Sequence, residues 1–272
     1  MKKIAIIPTL LTLGNAVSGF AAIAMAGKVD GTEATRAFFA YAGWLIVLAM
    51  VFDALDGYVA RLSRSASKFG GELDSLCDAI SFGVAPAFLL IRMGPGWQPQ
   101  PLFHQLLACI AALYLVCAIL RLARFNIENT PDPAGAKRFR GLPSPGAAGC
   151  LASLGIVRGS LLETYWPGLN PETLRVAIEI WATLGALLVA LLMVSRIPYP
   201  HLTKQVLRGR RQFGHLIQVI LAGCVIVLVP ELALIAIFWV YALLFPARYY
   251  LIRGLRTEAR PAHAGADEPQ PH

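Results

Sequence analysis

Four aspartates crowd into one short region of this 272-residue chain: Asp53, Asp56, Asp74 and Asp78. They come as two pairs set among small residues. Asp53, Asp56, Gly57, Ala60 and Arg61 fall in one stretch, and Gly70, Asp74 and Asp78 in the next. An apolar run from Tyr41 to Phe52 leads into the first aspartate, and another from Ala79 to Ile91 leaves the last. Carboxylates at the end of an apolar span are costly, so their presence there points to a function.

On a helix, Asp53, Gly57 and Ala60 share a face, with Asp56 one turn from Asp53. Gly70, Asp74 and Asp78 recur every four residues on a second face. If the two helices lie side by side, four carboxylates enter one cavity. Two carboxylates ~6 Å apart repel by roughly 3 kcal/mol at an effective dielectric of about 20. So many like charges are tolerated only when cations lie between them or protons neutralise some. An all-oxygen donor set without His or Cys favours Mg²⁺, Mn²⁺ or Ca²⁺ over zinc. Two such ions bridged by carboxylates suit phosphoryl chemistry. The plainer alternative is a set of helix caps and ion pairs with Arg61, Arg64 and Lys68 on a wet loop.

The pattern D-x2-D-G-x2-A-R-x8-G-x3-D-x3-D is filled at every fixed position, by Asp53, Asp56, Gly57, Ala60, Arg61, Gly70, Asp74 and Asp78. It resembles the signature of the CDP-alcohol phosphotransferase family, whose members cleave a CDP-linked lipid or alcohol and pass the phosphoryl group to a hydroxyl. The resemblance implies that Asp53, Asp56 and Asp74 bind the metal that holds the diphosphate. It implies that Asp78 completes the metal site and acts as general base. Two divalent cations are expected, Mg²⁺ or Mn²⁺, with Ca²⁺ admissible. Asn15, in the first apolar segment, is expected close to the nucleotide, the alternative being a helix-to-helix hydrogen bond. Gly57 and Ala60 let the nucleotide lie against the helix backbone. Asn15, Asp56, Gly57, Ala60, Arg61, Arg64 and Gly70 together are expected to form the CDP-lipid site.

Further on, Arg121, Arg124, Phe125 and Asn126 precede Phe139, Arg140, Gly141, Leu142, Pro143, Ser144 and Pro145. R-F-N followed by F-x-G-L-P-S-P resembles the phosphatidylserine synthase branch of the family. The donor it implies is CDP-diacylglycerol and the acceptor L-serine, giving phosphatidylserine and CMP. A serine carboxylate calls for a bidentate cation, and arginine supplies that fork. Arg121, Arg124, Asn126, Arg140 and Ser144 are the candidates for the serine pocket. The alternatives are that the arginines are membrane anchors and that Pro143 and Ser144 simply start a helix.

The elements that must position these residues follow from composition. The chain is 57% hydrophobic and 15% charged, against about 25% charged in soluble domains. The expectation is an all-α polytopic membrane protein of about eight transmembrane helices. The spans expected run from Ile4 to Ala26, Phe38 to Arg61, Gly70 to Met93, Leu102 to Phe125, Pro143 to Val157, Leu174 to Val194, Phe213 to Val229 and Leu232 to Leu251. Residues 1–256 are read as a single transmembrane catalytic domain, its motif core at about 4–157, and 257–272 as a disordered cytoplasmic tail. The first segment, with Lys2, Lys3 and an Ala24-Met25-Ala26 site, could also be a signal peptide. The interruptions at Pro8, Gly14 and Asn15 favour a membrane helix.

A net charge of +8 invites a nucleic-acid partner, but the placement of the charges argues for none. In this topology one side collects most of the lysines and arginines, leaving Lys28, Arg36, Arg92, Arg158 and Arg175 on the other. That asymmetry puts both termini and the aspartates on the cytoplasmic face of a bacterial-type inner membrane. The five cysteines (Cys77, Cys109, Cys117, Cys150, Cys224) form no C-x-x-C pair and read as small apolar residues. The family resemblance also implies a homodimer. Two rival functions remain open: a phosphatidylglycerophosphate or phosphatidylinositol-phosphate synthase, and a cation transporter. The lack of inverted-repeat symmetry and the one-sided placement of the aspartates disfavour the transporter.

Overall fold

The computed structural model describes residues 6–30, 32, 35–63, 67–94, 101–128, 141–160, 170–197, 199 and 228–258. In hydrocarbon a backbone must satisfy its own N–H and C=O groups, so each long apolar run closes into a helix. These are α1 (Ile6–Gly27), α2 (Ala37–Leu62), α3 (Lys68–Asp78), a π-helical turn (Ala79–Val84), α4 (Ala85–Met93), α5 (Pro101–Glu128), α6 (Ser144–Gly159), α7 (Pro171–Val194) and α8 (Pro230–Glu258). The described residues contain no strand.

Among the described residues, six stretches are long and apolar enough to cross a membrane: Ile6–Gly27, Ala37–Leu62, Lys68–Met93, Leu102–Ile127, Glu172–Val194 and Pro230–Tyr249. Their outward faces carry large apolar side chains such as Phe20 (68% exposed) and Leu184 (60% exposed). Such a surface is suited to lipid and not to water. The protein is therefore an all-helical, multi-pass membrane protein.

The expected fifth span, Pro143 to Val157, is short. The segment becomes α6, of 16 residues, which at 1.5 Å per residue reaches only about 24 Å against a core of about 30 Å. Nearly every residue of α6 from Ser144 to Gly159 is buried. It runs through the middle of the bundle, packed on α2, α4, α7 and α8. Its many Gly, Ala and Ser residues explain this position, because small side chains let neighbouring backbones approach closely. The expected seventh span (Phe213 to Val229) lies almost wholly outside the described residues, as do Arg64, Arg140, the basic tract Lys204 to Arg211 and Cys224. Helix α8 continues to Glu258, so the first two residues of the expected tail are helical. Cys77, Cys117 and Cys150 are buried as expected, whereas Cys109 is exposed on α5.

At one end of the bundle, Lys28 stands over the Phe38 ring (5.5 Å) and Arg158 over Phe39 (5.5 Å). The Arg92 guanidinium donates to Val29 O. Arg158 and Arg175 both reach the buried Glu179 carboxylate, at 3.4 and 3.0 Å. The aspartates lie toward the opposite end, at the C-terminal part of α2 and along α3.

Candidate functional site

Ser67 caps α3, its Oγ accepting from the Gly70 N–H at 3.0 Å. The cap sets where α3 begins and therefore which way Asp74 and Asp78 face. With α2 and α3 both packed on α1, Asp53, Asp56 and Asp74 each place a carboxylate oxygen within 4.8 Å of the other two. Asp56 is buried, and Asp53 and Asp74 are partly buried. Asp56 Oδ2 and Asp74 Oδ1 are buried without a hydrogen-bond partner. Buried oxygens left without donors are costly, and a hard divalent cation would satisfy them. The donor set thus fits the metal that the resemblance implies.

Asp78 stands one turn further along α3, outside that close group but within the electrostatic field of all three carboxylates. Asn15 Nδ2 donates to Asp78 Oδ1 at 2.9 Å, and both residues are buried. The Ser81 hydroxyl in the π-helical turn donates to Asn15 O at 2.9 Å, so α1 grips the segment on both sides of Asp78. Tyr114 Oη, fully buried on α5, donates to Phe82 O at 3.0 Å and supports the same turn. Gly19 makes the approach possible, since a Cβ there would lie 2.7 Å from the Ser81 Cα. Single π-helical turns within α-helices are frequent at functional sites.

Beside the carboxylates lies a cavity of about 190 Å³. Pro8, Thr9 and Thr12 of α1, Asp56, Gly57 and Ala60 of α2, and Ser67, Gly70, Gly71 and Asp74 around α3 line it. A Cβ on Gly57 would meet only the Arg61 guanidinium, at 3.4 Å, and one on Gly71 would meet nothing within 4 Å. Bare backbone therefore faces the space.

The candidates on α5 and α6 separate. Arg121 Nη1 donates to Ser144 Oγ at 2.7 Å, its guanidinium stands 5.7 Å over the Phe125 ring, and its charge is felt by Asp53 and Asp78. Arg124 Nη1 turns away and donates to Val194 O at 3.4 Å, at the end of α7. Asn126 Nδ2 donates to Ser75 Oγ at 2.9 Å, tying α5 to α3 next to Asp74. Gly141 has φ +87°, and its N–H donates to Ile197 O at 2.9 Å; the Leu142 N–H donates to Leu192 O at 3.0 Å. These bonds fasten the entry to α6 and so the position of Ser144.

Sequence reasoning did not single out Thr9, Thr12, Ser67, Gly71, Ser81 or Tyr241. Thr12 had a signal: with Pro8 and Asn15 it lies on one helical face. Tyr241 had none; tertiary packing brings it from α8 to Gly146 in the first turn of α6.

The family model for CDP-alcohol phosphatidyltransferases matches residues 5–191. Similar curated proteins include a CDP-diacylglycerol–serine O-phosphatidyltransferase of Helicobacter pylori. It is 39% identical over 167 residues, 61% of this chain and 63% of that protein. A protein of the same name from Methanocaldococcus jannaschii is 41% identical over 157 residues, 57% of this chain and 62% of the relative. The archaetidylserine synthase of Methanothermobacter thermautotrophicus is 33% identical over 196 residues, 71% of this chain and 69% of the relative. The chain thus spans less than two thirds of the length of the first two relatives. The match from residue 5 to residue 191 takes in all four aspartates, the cavity beside them and the Arg121–Ser144 pair, and the chain belongs to the CDP-alcohol phosphatidyltransferase family.

Proposed function

We propose that the protein transfers the phosphatidyl group of CDP-diacylglycerol to the hydroxyl of L-serine, giving phosphatidylserine and CMP. The observation that carries this reading is the group of three carboxylates within 4.8 Å, two with donor-less buried oxygens, beside a cavity floored by glycine backbone. Serine as acceptor is supported by the named activity of the Helicobacter and Methanocaldococcus relatives, and by Arg121, which Ser144 holds within electrostatic range of Asp53 and Asp78.

Asp53, Asp56 and Asp74 would hold divalent metal, with Asp78 completing the set; Mg²⁺ or Mn²⁺, two ions, suits the oxygen donors. When bound, the metal supplies charge neutralisation for the diphosphate and the departing CMP. The nucleotide lies in the cavity against Gly57, Ala60 and Gly70, with Asp56 lining it and Asn15 and Arg61 as further contacts; Arg64, outside the described residues, is kept as a candidate. Asn15 occupies Asp78 Oδ1, which leaves the other oxygen to take the proton of the serine hydroxyl. That hydroxyl oxygen bonds to the phosphorus bearing the diacylglycerol, and the bond from that phosphorus to the CMP oxygen breaks. Arg121 receives the serine carboxylate, with Ser144 holding the guanidinium and Asn126 further along the same helix; Arg124 is turned to α7, and Arg140, outside the described residues, is kept as a candidate.

The same reading keeps eight spans, 1–256 as the catalytic domain with 257–272 as its tail, both termini and the site on the cytoplasmic face of a bacterial inner membrane, and a homodimer. The charge asymmetry along the sequence supports the orientation. The test is CMP release by the purified protein from CDP-diacylglycerol, with serine, glycerol 3-phosphate and inositol phosphate offered separately. Release stimulated by serine alone is expected. Stimulation by a phosphorylated acceptor and none by serine would overturn the choice of alcohol.

A further inference from the structure

Between α3 and α4 the chain does not continue as an α-helix. The Ala85 N–H donates to Ile80 O, five residues back, so this turn holds one residue more than an α-helical one. Each residue advances an α-helix by about 100°, and the extra residue therefore turns α3 by about 100° relative to α4. The offset meets two demands at once. Leu89, Leu90 and Met93 anchor α4 in the apolar core, while on α3 Asp74 meets Asp53 and Asp56 and Asp78 meets Asn15. The turn has its own support. An α-helical bond to Phe82 O would come from position 86, and Pro86 has no N–H to give. The donor comes from another helix: Tyr114 Oη, wholly buried on α5, donates to Phe82 O at 3.0 Å. Toward α1, the Ser81 hydroxyl donates to Asn15 O at 2.9 Å.

We infer that Tyr114 is a positioning residue for the acidic site: by giving Phe82 O the donor that Pro86 withholds, it holds the π-helical turn and so the rotation at which α3 presents Asp74 and Asp78. A buried carbonyl without a donor is costly. Loss of the phenol strands Phe82 O and removes the advantage of the π-helical turn. An N–H at position 86 would give the α-helical register a donor of its own. In that register α4 keeps its place in the core, and α3 turns by about 100°. Asp74 and Asp78 then leave their partners, and Cys77, buried on α3, moves toward the exposed face that carries Glu72 and Leu76.

This inference rests on the reading of the aspartates as a metal site, and the two are tested apart. The detergent-purified double variant Tyr114→Phe/Pro86→Ala is compared with the wild type. Alkylation of Cys77 by N-ethylmaleimide, located by peptide mass spectrometry, reads the rotation of α3. Mn²⁺ affinity, by electron paramagnetic resonance, reads the site. In the double variant Cys77 should be alkylated about tenfold faster and Mn²⁺ bound about tenfold more weakly, the scale of one buried hydrogen bond exchanged between the two registers. Cys150, buried on α6, should stay protected, which a general loosening would not allow. Tyr114→Phe alone, which keeps the ring, gives the same two readings if the double variant does not fold. Cys77 as protected as in the wild type, Cys77 and Cys150 exposed together, or Mn²⁺ affinity unchanged would each overturn the role given to Tyr114. A wild-type protein that binds no Mn²⁺ would overturn the metal reading, while the alkylation would still decide whether Tyr114 holds the turn.

Discussion

Asn15 Nδ2 donates to Asp78 Oδ1 across 2.9 Å, and the bond joins the middle of α1 to the last turn of α3. It gives a buried carboxylate one fixed donor; in the proposed mechanism the other oxygen takes the proton. Asn15→Ala removes that donor, and stranding a buried acceptor costs about 1–3 kcal/mol. The expected result is a fall in kcat of roughly 10- to 100-fold with CDP-diacylglycerol affinity within threefold. Rate and donor binding measured on the same detergent-purified variant check this. Weakened donor binding with an intact rate would leave Asn15 its nucleotide contact and take the support of Asp78 away from it.

Asp78→Asn keeps the shape and the contact with α1 but removes the base. A positioned general base contributes typically 10²–10⁴-fold, so single-turnover CMP formation should fall within that range. CDP-diacylglycerol binding should persist. A variant turning over at near-normal rate would take the proton-accepting role away from this residue.

Gly57→Leu fills the cavity beside Asp56. A Cβ there meets only Arg61, so the helix should tolerate the change while the nucleotide should not. The KM for CDP-diacylglycerol is expected to rise at least tenfold, with thermal stability in detergent nearly unchanged. An unaltered donor KM would refute the close approach of the nucleotide to this backbone.

Gly141→Ala tests the entry to α6. The residue has φ +87°, and a Cβ would stand 2.2 Å from Met193 O. Strain of this kind costs about 1–3 kcal/mol, and the contact with Met193 O adds to it. A lower melting temperature is expected, with serine KM raised because Ser144 follows three residues on. Wild-type stability would mean that the turn is not held as the structure has it.

How far the sequence could be read depends on what each feature rests on. The acidic faces of α2 and α3 were legible because helical period alone puts Asp53, Gly57 and Ala60, and Gly70, Asp74 and Asp78, on single faces. Six apolar helices were legible from length and composition. The pairing of Asn15 with Asp78 was not, because it crosses 63 residues of chain and spacing says nothing about which helices become neighbours. Arg121, Arg124 and Asn126 look alike in sequence, yet tertiary packing sends the first to Ser144, the second to α7 and the third to Ser75. Helix α6 reads as a span because it is mostly apolar, and its small residues are the sign that protein surrounds it.

Direct binding of Mn²⁺ tests the central claim most closely, followed by electron paramagnetic resonance on the purified protein with and without CDP-diacylglycerol. The expected result is saturable binding that tightens with the CDP-lipid and weakens at least tenfold in Asp56→Asn and in Asp74→Asn. Binding in those variants indistinguishable from wild type, or no binding by the wild-type protein, would contradict the assignment of these carboxylates as the metal site.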